Sequence, residues 1–228
     1  MRRTPANTFE WPWLLLCEGE SDKRFLDRLI ESRDIESEFY VQFPDRHGGN
    51  QAGRSLFGRY LNTVATTSES FMQNVRAVLI MSDNDDDPNK SLVEVQQQLR
   101  EAGGFGVPDD EKIVANAAGF PDTVILMIPF GERGNLETLC LSAAYAKWAL
   151  EPQLDAFIAG TPAHEWAFGK QSKSRIQVTL AVTCETKPDT SFANHWLERE
   201  EFRIPLDHEC FNDLVSFLSD FGTLLEEA

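Results

Sequence analysis

Asp83 and Asp85, in the run Ser82-Asp83-Asn84-Asp85-Asp86-Asp87-Pro88, have the type and spacing to do chemistry. On an extended chain alternate side chains point the same way, so the spacing predicts two carboxylates converging on one point with Asn84 turned away. Such a pair repels itself at neutral pH unless a proton or a cation intervenes, and hard oxygen donors of this kind suit magnesium or manganese. The plain alternative is a solvated acidic turn closed by Pro88. Two further groups belong beside this pair: Glu18-Gly19-Glu20-Ser21-Asp22, and Glu137 just after Gly131-Glu132-Arg133-Gly134. Asp22 and Glu137 also fall in first turns of expected helices, where any acid is favoured by the helix dipole.

The elements that must position these groups are legible as alternating strands and helices. Trp13 to Cys17, Phe39 to Phe43, Val75 to Met81 and Thr123 to Ile128 read as strands, and Lys112 to Ala115 as a short one. Ala77 to Met81 has the length and branched composition of a strand buried on both faces. Ser21 caps an expected helix to Ser32, with Phe25, Leu26, Leu29 and Ile30 on one face. Further helices are expected up to Val64, from Ser91 to Glu101, and from a cap at Asn135 to Leu150. Asp86 and Asp87 read as solvent-facing or supporting groups. This order predicts an α/β fold with a mostly parallel sheet flanked by helices over residues 11–150. Residues 151–228 read as a helical C-terminal extension packed on it, irregular at Glu185 to Thr190 and ending in one amphipathic helix from Phe211 to Leu225. Ligands of open parallel sheets bind outside the carboxyl ends of the strands. Glu18, Asp83, Asp85 and Glu137 all follow strands, so they are expected on one rim.

Composition narrows the function. The 228 residues are 42% hydrophobic, enough to bury a core without staples. Cys17, Cys140, Cys184 and Cys210 show no CxxC spacing, which argues against a disulfide framework or a zinc site and for a reducing, cytoplasmic setting. The apolar run after Arg2 and Arg3 is too short for an export signal, and no run approaches the roughly 20 residues of a membrane span. The four histidines, His47, His164, His195 and His208, are scattered without metal-ligand spacing. A formal charge of −16 argues against broad electrostatic binding of nucleic acid. Such a substrate has to be met by a local basic patch, by metal ions or by a partner. The candidate patches are Arg46, Arg54 and Arg59, and Lys170, Lys173 and Arg175. The last three hold a phosphate if they face the acidic rim, and are a solvated helix face if they do not.

Two other motifs compete. Asp83, Asp85, Asp87 and Glu94 have the spacing of a calcium loop, but Pro88 stands where glycine is required and a strand precedes it. Gly48-Gly49-Asn50-Gln51-Ala52-Gly53-Arg54-Ser55 has the spacing of a nucleotide-binding P-loop, with Arg in place of the lysine. That reading leaves Glu18 to Asp22 unexplained.

LLLCEGESDKRFL, a strand ending in Glu-Gly with an Asp four residues after the Glu, resembles the first motif of the Toprim superfamily. VLIMSDNDDD resembles its second, a strand ending in Asp-x-Asp. The chain is most similar to small stand-alone Toprim-like proteins related to OLD-type nucleases, in which a strand, a Pro and a Gly-x-Leu-Glu turn follow, here VILMIPFGERGNLETL. The resemblance covers Trp13 to about Leu150, and the remainder is similar to that group's helical tail. It implies a Mg2+- or Mn2+-dependent phosphodiesterase acting on DNA or RNA. Glu18 matches the general acid or base and a metal ligand, and Asp83 and Asp85 match the metal-binding aspartates. Asp22 matches the acidic residue of the first motif, and Glu137 completes a metal shell. Lys170 and Lys173 are the candidates for holding the scissile phosphate. Cys17 stands where the motif commonly has an aliphatic residue. A topoisomerase or primase would need domains for which these residues leave no room. The opposing expectation is a subunit that is non-catalytic or active only with an ATPase partner, in phage defence or nucleic-acid surveillance.

Overall fold

The computed structural model describes residues 9–35, 38–44 and 53–228. Four strands, β1 (Trp13–Leu16), β2 (Phe39–Gln42), β3 (Ala77–Asp83) and β4 (Asp122–Ile128), form a sheet of order β2-β1-β3-β4 in which every pairing is parallel. The expected α/β architecture is therefore the observed one. Parallel neighbours need crossovers, and these are α1 (Glu20–Ser32), α2 (Phe57–Thr67) with α3 (Glu69–Asn74), and α4 (Pro88–Ala102). Helices α5 (Leu136–Trp148), α6 (Glu151–Ala159), α7 (Phe168–Thr183), α8 (Phe192–His195), α9 (Asn212–Ser219) and α10 (Phe221–Glu226) follow.

Continuous apolar strands give the sheet two buried faces, and the pleat sorts their residues between two cores. Leu15, Leu79, Met81, Val124 and Leu126 pack against Phe25, Leu26 and Leu29 of α1, Cys140 and Ala144 of α5, and Ile176 and Leu180 of α7. Leu14, Leu16, Val78, Ile80 and Ile125 pack against Phe57, Leu61, Phe71, Val95 and Leu99 from α2, α3 and α4. The residues after 150 share the first core: the Trp196 ring lies 5.3 Å from Phe25, and Phe221 lies 5.4 Å from Trp13. No helix among the described residues is long and apolar enough to cross a membrane.

Several local expectations are corrected. Gly19 rather than Ser21 is the N-cap of α1, and Asp22 at its third position accepts a 2.8 Å bond from the Gly19 N–H. β3 starts at Ala77 and carries Asp83 as its last residue. Lys112 to Ala115 makes only one bridge, Ala115 with Thr123, and is not a strand. The final helix is two, α9 and α10, parted at Asp220. Residues 45–52, with Arg46, His47 and most of the P-loop-like segment, lie outside the described residues.

Helices α2 and α4 approach so closely that a Cβ on Gly58 would stand 2.4 Å from the carbonyl oxygen of Gln98. Gly58→Ala is accordingly expected to lower stability by about 1–3 kcal/mol, the cost of overpacking, as measured by urea unfolding. An unchanged midpoint would mean that the helices separate freely.

Candidate metal and phosphate site

The carboxyl ends of β1, β3 and β4 carry the acidic residues to one rim, and the helices that follow these strands begin there. The acidic loop after β3 is held by its backbone and by one amide. Asn84, 2% exposed, donates through Nδ2 to the carbonyls of Pro129 and Glu132, both at 2.6 Å, and its N–H donates to Ile128. The Gly134 N–H donates to the Asp85 carbonyl at 2.6 Å. Gly134 is required there, since its φ is +136° and a Cβ would strike Thr138.

Each aspartate of the run has a different partner. Asp83 Oδ1 accepts from the N–H of Leu136, the first residue of α5, at 2.9 Å. Asp85 Oδ2 accepts from Arg54 Nη2 at 2.9 Å. Asp86 accepts from the N–H of Phe168, the first residue of α7, at 3.1 Å. Asp87 is the N-cap of α4, accepting from Lys90 at 3.1 Å, with Pro88 at the first helical position. The expectation that Asp83 and Asp85 share one direction is not met. β3 ends at Asp83 and Asp85 adopts a φ of +49°, so the two-residue alternation stops between them. Asp86 and Asp87, read from sequence as solvent-facing or supporting groups, tie down two helices. The Asp87-Pro88 pair is itself a helix-start signature that could have identified the cap.

Glu18 is anchored through one oxygen. Its Oε1 accepts from the Asp83 N–H at 3.1 Å, from Ser82 Oγ, and from Arg54 Nε and Nη2 at 3.3 and 3.2 Å. Its Oε2 accepts no hydrogen bond among the described residues. Ser82, 1% exposed, is a supporting group that the sequence did not single out.

Around Glu18 the carboxyls of Asp22, Asp83 and Glu137 influence one another. Burial, then repulsion by Glu18 and Glu137, pushes Asp22 up to about 7. Burial, then Glu18, Asp22 and Glu137, holds Asp83 well above the usual carboxylate range. Burial also raises Glu137, against the pull of Lys173. Asp85 is raised by burial against the attraction of Arg54. Lys173 is the counterpart: burial lowers it, yet attraction by Glu137, Asp83, Asp22 and Glu18 leaves its pKa raised. Lys173 stands on the first turns of α7, whose start is locked to α5. Asn135 Nδ2 donates to the Gly169 carbonyl at 3.1 Å, and Thr138 Oγ1 to Ser172 Oγ at 2.9 Å. The basic patch thus divides. Lys173 lies in the electrostatic field of the carboxylates, with no hydrogen bond or ion pair to them among the described residues, whereas Arg175 pairs with Asp155 at 2.6 Å and points to α6. Lys170 has no hydrogen bond or ion pair to the cluster among the described residues.

Glu18, Asp22, Asp83 and Glu137 offer only carboxylate oxygens, the donor type that suits a hard divalent cation. No three His, Cys, Asp or Glu side chains among the described residues converge closely enough to hold an ion together. Magnesium fits such a site, because it keeps several waters and is bound through one or two carboxylates.

A family model described as "Protein of unknown function (DUF3226)" matches residues 12–223. No curated protein matches the chain. Among solved structures, the C-terminal region of the Xanthomonas campestris pv. campestris OLD protein is similar with a TM-score of 0.35 and 13% identity, over 96% of this chain and 100% of that one.

Proposed function

This chain belongs to the DUF3226 family, and we propose that its acidic rim hydrolyses phosphodiester bonds of DNA or RNA in the manner of Toprim nucleases, with Mg2+ or Mn2+. One observation carries the reading: Lys173, from a helix beyond the β-sheet in sequence, lies in the field of Glu18, Asp22, Asp83 and Glu137. A lone acidic cluster suits a cation. Carboxylates facing an ammonium suit a cation and a phosphate together.

Asp83 would hold the metal, with Glu18 beside it and Asp22 and Glu137 adding negative charge around it. When bound, the ion supplies charge stabilisation to the phosphate oxygens and lowers the pKa of water. Glu18 is immobilised through Oε1, so its Oε2 is the oxygen that takes the proton of the attacking water or returns one to the leaving oxygen. Lys173 orients the phosphate by its positive charge and offsets charge that develops on it. The second reading, a subunit active only with an ATPase partner, is favoured by the net charge of −16, because a partner would then supply the binding surface for nucleic acid.

The test is cleavage of labelled single- and double-stranded DNA and RNA with and without Mn2+ or Mg2+. Cleavage should require the metal, and Lys173→Gln should lower kcat by about a hundredfold while Mn2+ affinity, read by calorimetry, stays near wild type. Activity that persists in EDTA, or that Lys173→Gln leaves intact, would overturn the proposal. Activity that appears only with an added ATPase partner selects the second reading.

A further inference from the structure

Arg54 has no task in the mechanism above, yet it is among the most constrained side chains of the site. It is 8% exposed and donates to five acceptors, Glu18 Oε1, Ser82 Oγ, the Asp83 carbonyl, Asp85 Oδ2 and Glu94 Oε2. A guanidinium has five N–H groups and stays charged at every pH the fold survives. Nε and Nη2 are shared among Glu18, Ser82, Asp83 and Asp85 and Nη1 serves Glu94, so four of its N–H groups are committed inside the protein and one N–H of Nη1 has no acceptor among the described residues.

The site consequently has two halves that share Glu18. On one side Glu18 Oε1, Asp85 and Glu94 surround the cation Arg54, with ion-pair distances of 3.2, 2.9 and 3.0 Å. On the other side Asp22, Asp83 and Glu137 lie in the field of Lys173, which also reaches Asp85, and Glu18 Oε2 accepts no bond among the described residues. Two-metal phosphodiesterases place their ions about 3.5–4 Å apart. A second ion held by Glu18 and Asp85 would lie where the guanidinium already lies, and two cations cannot share that space.

We propose that Arg54 is a positioning residue that takes the place of a second cation, so that the protein binds one divalent ion, on the Asp83 side, and Asp85 is a partner of Arg54 and not a metal ligand. This rests on the metal-binding reading above. It departs from the pairing of Asp83 and Asp85 that their spacing suggests.

The experiment is calorimetric titration of the full chain, stripped with EDTA, with MnCl2, without any substrate. Wild type should bind one Mn2+ per chain. Asp85→Asn should still bind one, its affinity changed by no more than about fivefold, as for the loss of one exposed charge. Arg54→Gln removes the internal cation and leaves Glu18 and Asp85 facing each other, so a second equivalent should bind. Two Mn2+ in wild type, or a loss of about a hundredfold or more in Asp85→Asn, would overturn the inference and leave the metal site standing. A folded Arg54→Gln that still binds one ion would overturn the exchange of arginine for metal. If Arg54→Gln does not fold, Asp85→Asn and the wild-type stoichiometry decide alone. No binding by wild type would remove the metal reading, and the inference with it.

Discussion

Asp83→Asn should reduce cleavage to background and weaken Mn2+ binding by more than about a hundredfold, because even partners outside the ligand shell are worth about 10–100-fold in metal affinity. The substitution separates two roles that one carboxyl group combines. Asp83 Oδ1 accepts from the first N–H of α5 at 2.9 Å, and an asparagine carbonyl can still accept that bond. Its negative charge would be lost, and with it the pull on a divalent ion. The fold should therefore survive, as read by circular dichroism and urea unfolding. In metal-free buffer at neutral pH it should become more stable, since a carboxylate held against Glu18, Asp22 and Glu137 is gone. Were Asp83→Asn to bind Mn2+ like wild type, Asp83 would be a helix-capping group and nothing more.

The acidic rim can gather so many carboxylates because the helices aim their N-termini at it. Gly19 precedes α1, Asp87 caps α4, Asp83 receives the first N–H of α5, and Asp86 that of α7. Each N-terminus offers unpaired N–H groups and partial positive charge. Parallel strands joined by helices bring three of these together as a matter of topology; α7 is brought there by contacts with α5. The DNDDD run is thus both a candidate ligand set and the junction to which α4, α5 and α7 are fastened.

The topology was legible because buried parallel strands are written as short apolar runs closed by turn residues. Leu14 to Leu16, Ala77 to Met81 and Val124 to Ile128 could hardly be placed elsewhere. Their carboxyl-end residues had to share a rim. The partners of the carboxylates were not legible, because they come from long-range approach. Nothing around Arg54 says that it is buried beneath Glu18 and Glu94, since a lone arginine ahead of a helix is usually solvated. Lys173 and Arg175 are two residues apart on a helix, so they diverge, and only the docking of α7 decides which faces the rim. The alternation argument failed at Asp85 for a local reason, a left-handed backbone conformation that aspartate tolerates and that a pattern of polar residues does not reveal.

The metal-free protein should be more stable at pH 5 than at pH 8, which is opposite to the behaviour of proteins whose carboxylates are paired. Asp22 has a folded-state value pushed up to about 7 by burial and by Glu18 and Glu137, and Asp83 and Glu137 are raised as well. A carboxyl whose pKa is higher folded than unfolded holds a proton that the unfolded chain has released. For Asp22 the native state binds more protons between the two values, so its contribution to stability falls as pH rises through that window, from about 4 to about 7, and levels off above it. Moving one carboxyl from 3.8 to about 7 corresponds to no more than about 4 kcal/mol. Self-repulsion of the −16 charge has the same sign, so a variant must isolate the site. Asp22→Asn keeps an acceptor for the Gly19 N–H and cannot titrate, and it should flatten part of the slope in urea unfolding at the two pH values in EDTA, Asp83 and Glu137 supplying the rest. Saturating Mn2+ should reverse the slope in wild type, because a bound cation favours the ionised carboxylates and its affinity grows as they lose protons. An EDTA-treated protein whose stability rises from pH 5 to pH 8, unchanged by Asp22→Asn, would show that the carboxylates of the rim are already relieved by solvent and have no need of a metal.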